Sequence, residues 1–309
     1  NKGTSTLSRQ QIQDKFDQLK AQVGFHGGAT GVNVSIKTTR DNLPAVITLV
    51  AEVLRNASFP ANALEEYKRQ MLAAIDEQRK DPQAVVQTEL GRYGNPYPKG
   101  DVRYAATFDE MVESIQSLTV EKLRAFHRQF YGAQFGQAAF VGDLDAAASK
   151  TALSAGLGNW NATASYTRVP NPLVTVKPER FVFKTPDKQN AYMQVLQSIA
   201  VSDNEPDYPL LTLANFALGQ GGSSRLWIRI REKGGLSYDV RSGVNWNNYE
   251  PNSGWSATAI FAPQNRAKVE AAFKEEVQRL LKEGLTQKEL DDAKQSLLNY
   301  RRLSRAQDG

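Results

Sequence analysis

Two distant stretches of this chain can be laid over one another in the same order of elements, and that duplication limits the fold more than any single motif. Residues 31–43, GVNVSIKTTRDNL, and 254–266, GWSATAIFAPQNR, each read as a strand running into a turn that holds an asparagine, Asn42 and Asn265. In the first stretch Val32, Val34 and Ile36 alternate with polar residues, the period of a strand with one buried face. Both stretches then enter a helix. A second overlay sets ALEEYKRQML against ELDDAKQSLL and matches Leu64 with Leu290, Lys68 with Lys294 and Leu72 with Leu298. The order strand, helix, helix is the same both times. One strand and two amphipathic helices cannot bury their apolar faces alone, so the ordered duplication predicts two copies of one α+β domain. The overlay also predicts that the front of the first copy and the back of the second lie outside this chain.

The remaining segments fill in around these copies. A Thr/Ser cap signal and apolar residues at Ile12, Phe16, Leu19 and Val23 predict a helix over about residues 7–22. LPAVITLVAEVLRNAS and ANALEEYKRQMLAAIDEQRKD read as two helices split by Phe59-Pro60. TFDEMVESIQSL and TVEKLRAFHRQFYG read as short helices, and GQAAFVGDLD as a buried strand leaving into an acidic turn. TRVPNPLVTVKPERF carries three prolines and no helical period, which makes it a linker. RFVFKT and AYMQVLQSIAV then read as strands. At 309 residues the chain has room for two cores, and the expected division is a first domain over 1–165, a linker over 166–178 and a second domain over 179–309.

Charge and composition exclude several classes. The net charge is +5, but acids alternate with lysines and arginines, as in KEEVQRLLKEGLTQKELDDAK, so no basic block points to nucleic acid. No apolar run is long enough for a membrane span. The absence of cysteine removes disulfides, thiolate catalysis and cysteine-held zinc. The opening NKGTSTLSRQQ has no charged region followed by an apolar one, so it reads as the interior of something longer, not a signal peptide.

The segment GQGGSSRLWIRIREKGGLSYDV, residues 219–240, concentrates the chemistry. A wheel of 3.6 residues per turn puts Arg225, Arg229 and Glu232 on one polar face, with Leu226, Trp227 and Ile230 opposite and Arg231 beside Trp227. Arg231 suits the last turn of a helix closed by Gly234 and Gly235, where the dipole favours a cation. In the next strand, Tyr238 shares a face with Leu236 and Val240 and so suits the core. By spacing alone, both residues have a structural use. GQGGSS lacks the Gly-Lys-Ser/Thr ending of a phosphate loop and reads as a flexible lead into the helix.

SSRLWIRIREKGGLSYDV, together with KGT before the first helix, FVGDLD and YGNPYPKGD, resembles the pitrilysin (insulinase, M16) family of zinc peptidases, in the family's own order along essentially the whole chain. NPYPKGDVRYA and ANFALGQGGSSRL are similar to the C-terminal half of long bacterial members, whose N-terminal half carries the metal. The resemblance implies a pair of homologous domains, each a mixed, mostly antiparallel sheet with helices on one face. It implies that the arginine and the tyrosine seven residues later, here Arg231 and Tyr238, reach a zinc site owned by the other half. It also implies peptide as substrate, that zinc-binding half as partner, and an exported, periplasmic setting. The family holds zinc with His-x-x-Glu-His and a more distant glutamate. Here the only histidines are His26 and His127, and the position of the third ligand is Ala74, with Glu77 one turn on. No metal ligand and no cofactor site is therefore expected in this chain. The strand at 254–262 is expected to offer an edge for substrate addition. The rival reading is a catalytically inactive structural or assembly subunit of the same family.

Overall fold

The computed structural model describes residues 2–185 and 188–305. Residue 1 and residues 306–309, the ends of the two expected domains, lie outside them. Along the chain the elements are α1 (Arg9–Gln18), β1 (Gln22–Gly27), β2 (Val32–Lys37), α2 (Leu43–Arg55), α3 (Ala61–Gln78), α4 (Pro82–Tyr93), α5 (Phe108–Gln116), α6 (Val120–Phe130) and α7 (Ala146–Leu157). They continue with β3 (Ala191–Ile199), α8 (Tyr208–Gly219), a π-helical turn (Trp227–Glu232), β4 (Asp239–Asn245), β5 (Ser253–Phe261), α9 (Arg266–Glu283) and α10 (Gln287–Ser304). Two compact units result. One takes residues 2–75 and 109–169, the other 76–108 and 170–305, so α4 belongs with the second sheet.

In the first unit α1 starts in a capping box, Ser8 with Gln11, and buries Ile12 and Phe16. These pack with Ala21 and with Val46, Leu49, Val50 and Val53 of α2. β1 and β2 form an antiparallel pair with Gln22 opposite Lys37. The residue pattern gives no sign of β1, because QVGFHG has two glycines and no clean alternation; its pairing with β2 makes it a strand. Phe59, at φ 49°, breaks the path between α2 and α3 just before Pro60, which accounts for the expected split.

The second unit has a three-stranded antiparallel sheet in the order β3-β5-β4. One face of β5, Ala257, Ala259 and Phe261, joins Val240 of β4, and this face is covered by Leu218 of α8, Leu226 and Ile230 before and in the π-turn, and Val269, Ala272 and Phe273 of α9. Tyr192 of β3 lies in the other register set, opposite Ile260, and bonds Gln87 of α4; its burial raises its pKa. The α+β character with antiparallel sheets holds throughout.

Three expectations are corrected. GQAAFVGDLD, residues 136–145, is not a strand, and Val141 is 78% exposed. RFVFKT, residues 180–185, is not one either: Phe181 packs on Tyr93 and Arg180 pairs with Glu270. Apolar alternation is not enough, since a strand also needs a neighbour to take its backbone N–H and C=O groups, and neither segment has one among the described residues. The strand at 254–262 is not an edge, because β5 is paired on both sides, with β3 and with β4.

Candidate functional site

The site region begins where α8 meets the sheet. Gly219 lies so close to Ser242 of β4 that a Cβ would collide with it, which lets the helix end against the strand. The glycine loop then closes on itself, with Ser224 Oγ donating to the Gly221 carbonyl at 2.7 Å. Serine is thereby committed to the loop, in keeping with a lead into a helix.

Beyond this loop the backbone is wound wider than an α-helix. Residues Trp227–Glu232 form a π-turn, closed by Lys233 N–H donating to Ile228 O at 2.9 Å. Such turns are rare and occur mostly as single turns, often at functional sites. The polar face predicted at 3.6 residues per turn is not a shared solvated face. Arg225 is only 6% exposed, and its Nε and Nη2 form a two-point pair with Glu289 at 2.6 and 2.7 Å, while Nη2 also donates to the Gly284 carbonyl at 2.7 Å. Arg229 pairs with Glu275 at 2.8 Å, and Trp227 Nε1 donates to Glu232 at 3.2 Å. The hydrogen bonds from Arg225 hold the Glu289 carboxyl at about 2, well below its ordinary value, against the opposing effect of burial. Glu289 also caps α10 with Thr286, so one carboxylate ties the start of the π-turn segment to the α9–α10 hairpin. Sequence spacing could not show this pair, because its partners are 64 residues apart.

Arg231 is exposed, and its guanidinium lies over the Trp227 ring, 4.1 Å from the centroid. Stacking of this kind holds a cation in place without using its hydrogen-bond donors. Gly235, at φ 57°, then reverses the chain, and Gly235 N–H and Leu236 N–H return to the carbonyls of Arg231 and Ile230. Regular strand begins only at Asp239. Ser237 is turned inward, 8% exposed, with its hydroxyl within 2.7 Å of the carbonyls of both Asp239 and Ile260. Tyr238 N–H donates to Ile260 O at 2.9 Å, and its side chain is 66% exposed. The predicted face shared with Val240, which is 1% exposed, therefore fails at Tyr238: the alternation breaks because Ser237 takes the inward position ahead of the strand. No hydrogen bond joins Arg231 to Tyr238 among the described residues.

The metal positions are equally plain. His127 Nε2 is 2.7 Å from the Leu54 carbonyl, and its ring packs against Phe59, Tyr131 and Trp160. His26 lies in β1 opposite Asn33. Ala74 lies in α3 and brings no ligand, and Glu77 pairs with Lys80 at 3.6 Å. No group of three or more His, Cys, Asp or Glu among the described residues is arranged to hold a metal ion. The described residues thus offer no donor set that fits the family's zinc. No described helix is long and apolar enough to cross a membrane.

Known proteins are similar to this chain in sequence and fold. The chain is 25% identical over 299 residues to a Helicobacter pylori protein named as the non-peptidase homolog YmxG, covering 96% of this chain and 67% of that one. The solved peptidase M16 inactive domain from Pseudomonas fluorescens superposes with a TM-score of 0.77 at 27% identity, over 96% of this chain and 71% of the other. The periplasmic protease PqqL from Escherichia coli has the same fold, with a TM-score of 0.76 at 15% identity, and the match takes 99% of this chain but only 33% of that one. Residues 117–297, more than half of the chain and including the π-turn, Arg231 and Tyr238, match the family described as the peptidase M16 inactive domain. With more than half of its sequence matched, the Arg231–Tyr238 segment included, the chain belongs to the peptidase M16 inactive-domain family.

Proposed function

We propose that this chain is the non-metal half of an M16-type zinc endopeptidase, forming part of a peptide-binding chamber and presenting Arg231 and Tyr238 to a zinc site carried by the other half. The observation that carries this reading is the outward turn of Tyr238, 66% exposed, in the same segment as an exposed Arg231 held by Trp227; a tyrosine with only a packing role would fill the core, as alternation predicts. When a peptide carbonyl is attacked, its oxygen gains negative charge, and preorganised phenol and guanidinium donors aimed at that oxygen lower the barrier. The partner is then a zinc-bearing half of the same protein or a separate subunit, and the setting is exported and periplasmic, as for the fold relative from Escherichia coli.

The second reading is a structural or assembly subunit without hydrolytic partner, and the name of the Helicobacter pylori relative favours it. Mixing this chain with the zinc-bearing half separates the two. The endopeptidase reading expects peptide hydrolysis well above that of the zinc half alone, whereas the assembly reading expects association with no gain in hydrolysis.

A further inference from the structure

At the far end of β4 from Tyr238, roughly 20 Å away at about 3.3 Å per residue, the β4–β5 hairpin builds a second concave feature. We propose that it binds a neutral saccharide. The concavity has a volume of about 470 Å³ and is lined by Asn171, Asn245, Trp246, Asn248, Tyr249 and Asn252, among others. That volume is within the usual range for small-molecule sites.

The chemistry is set by what the hairpin leaves out. From Gly243 to Phe261, GVNWNNYEPNSGWSATAIF, the single charged residue is Glu250, in a chain that is 23% charged. A charged ligand would find almost no counter-charge here. The side-chain amides of Asn171, Asn245 and Asn248 have no protein partner among the described residues, and each offers two donors and an acceptor. Sugar hydroxyls both donate and accept, so amides match them in either sense. The Tyr249 ring is 78% exposed and offers a flat apolar face to the C–H face of a sugar ring, at a low conformational-entropy cost. A peptide would instead bind mainly through its backbone along a free strand edge, whereas these polar groups are side-chain amides spread round a hollow.

The site is also rigidly built. Asn247 Oδ1 accepts from the N–H groups of Tyr249 and Glu250 at 2.9 and 3.0 Å. Ser253, 1% exposed, donates to the Val201 carbonyl at 2.6 Å and accepts from Asn247 N–H at 3.0 Å. Asn252 Nδ2 donates to the Asn171 carbonyl at 2.9 Å, and Tyr208 braces Trp246 edge-on at 4.8 Å. Preorganisation of this kind reduces the ordering cost of binding.

The test is a titration of the chain with cellobiose and with N,N′-diacetylchitobiose, read on the side-chain NH₂ signals of Asn245 and Asn248 and the backbone signals of 245–254 by ¹H–¹⁵N NMR. At least one disaccharide should move these signals with a Kd on the order of 1 mM. Tyr249→Ala should weaken binding about tenfold or more, a loss of one aromatic platform, while the backbone signals outside 245–254 keep the dispersion of the folded chain. Silence of these signals up to about 20 mM of both sugars, full binding by Tyr249→Ala, or movement only with an uncharged Gly-Ser peptide would each overturn the saccharide assignment. Tyr238→Phe should leave the titration as it is, so the outcome stands apart from the reading of the Arg231–Tyr238 segment.

Discussion

The two copies of the helix-to-strand connection are built alike up to one carbonyl and diverge just after it. In the first copy Asn42 Nδ2 donates to the Leu19 carbonyl at 3.0 Å, and in the second Asn265 Nδ2 donates to the Leu236 carbonyl at 3.3 Å. Each acceptor stands three residues before the first paired residue of its strand, Gln22 opposite Lys37 and Asp239 opposite Ile260. Each asparagine closes a short 3₁₀ turn, Arg40–Asn42 or Pro263–Asn265, that leads straight into the next helix. In this register Ala21 and Tyr238 are equivalent. Ala21 is 8% exposed and belongs to the core, and Tyr238 is 66% exposed. The left-handed residue has moved as well, from Lys20 at φ 49° in the first copy to Gly235 at φ 57° in the second. A shared clamp fixes register in both copies, and the residues between clamp and strand are where the two part, buried at Ala21 and exposed at Tyr238.

Four sets of variants test this contrast. The largest effect is expected at a feature of the second copy. Arg225→Ala leaves Glu289 without its partner and should cost about 3 kcal/mol in urea unfolding, at the low end for a buried pair because Glu289 is partly open to solvent. Glu289 has a lowered folded pKa, about 2 against an ordinary 4.5, so its contribution is complete above about pH 4.5 and is lost as pH falls toward 2. In Glu289→Gln that part of the acid-side loss should vanish. Next in size, Gly235→Ala should cost about 1 kcal/mol, because an L side chain is strained in the left-handed region. Asn42→Ala and Asn265→Ala should each cost about 1 kcal/mol: the Asn42 bond is the shorter, but Thr38 Oγ1 still donates to the Leu19 carbonyl at 2.9 Å once it is lost. The smallest is a gain: Lys20→Gly should add about 0.5 kcal/mol, relief of the same strain less the entropy cost of glycine. Equal losses at Gly235 and Lys20 would remove the contrast.

Legibility in the sequence tracks the range of each interaction. The strand, asparagine turn and helix of each copy are local patterns, and they stand where periodicity puts them. Periodicity also places the helix carrying Arg231 but not its π-winding, since a widened turn depends on what packs round it. RFVFKT and GQAAFVGDLD have strand patterns without strand neighbours, and residue order does not reveal who pairs with whom. β5, expected at an edge, is central for the same reason. In residues 219–240 the family resemblance singles out Arg231 and Tyr238, while alternation puts Tyr238 in the core. Only the inward Ser237, bonded to carbonyls of two strands, turns it out. The Arg225–Glu289 pair has no signal at all in spacing.

The most direct measurement is hydrolysis of a peptide by this chain combined with the zinc-bearing half, comparing wild type with Tyr238→Phe. Because Tyr238 is largely exposed, the variant should keep the wild-type unfolding midpoint and the same affinity for the zinc half. Its kcat should fall by about 10- to 1,000-fold, the scale for loss of one preorganised donor, and Arg231→Ala should fall at least as far. Wild-type turnover in Tyr238→Phe at full stability would contradict the presented-tyrosine reading and leave the chain as a structural subunit.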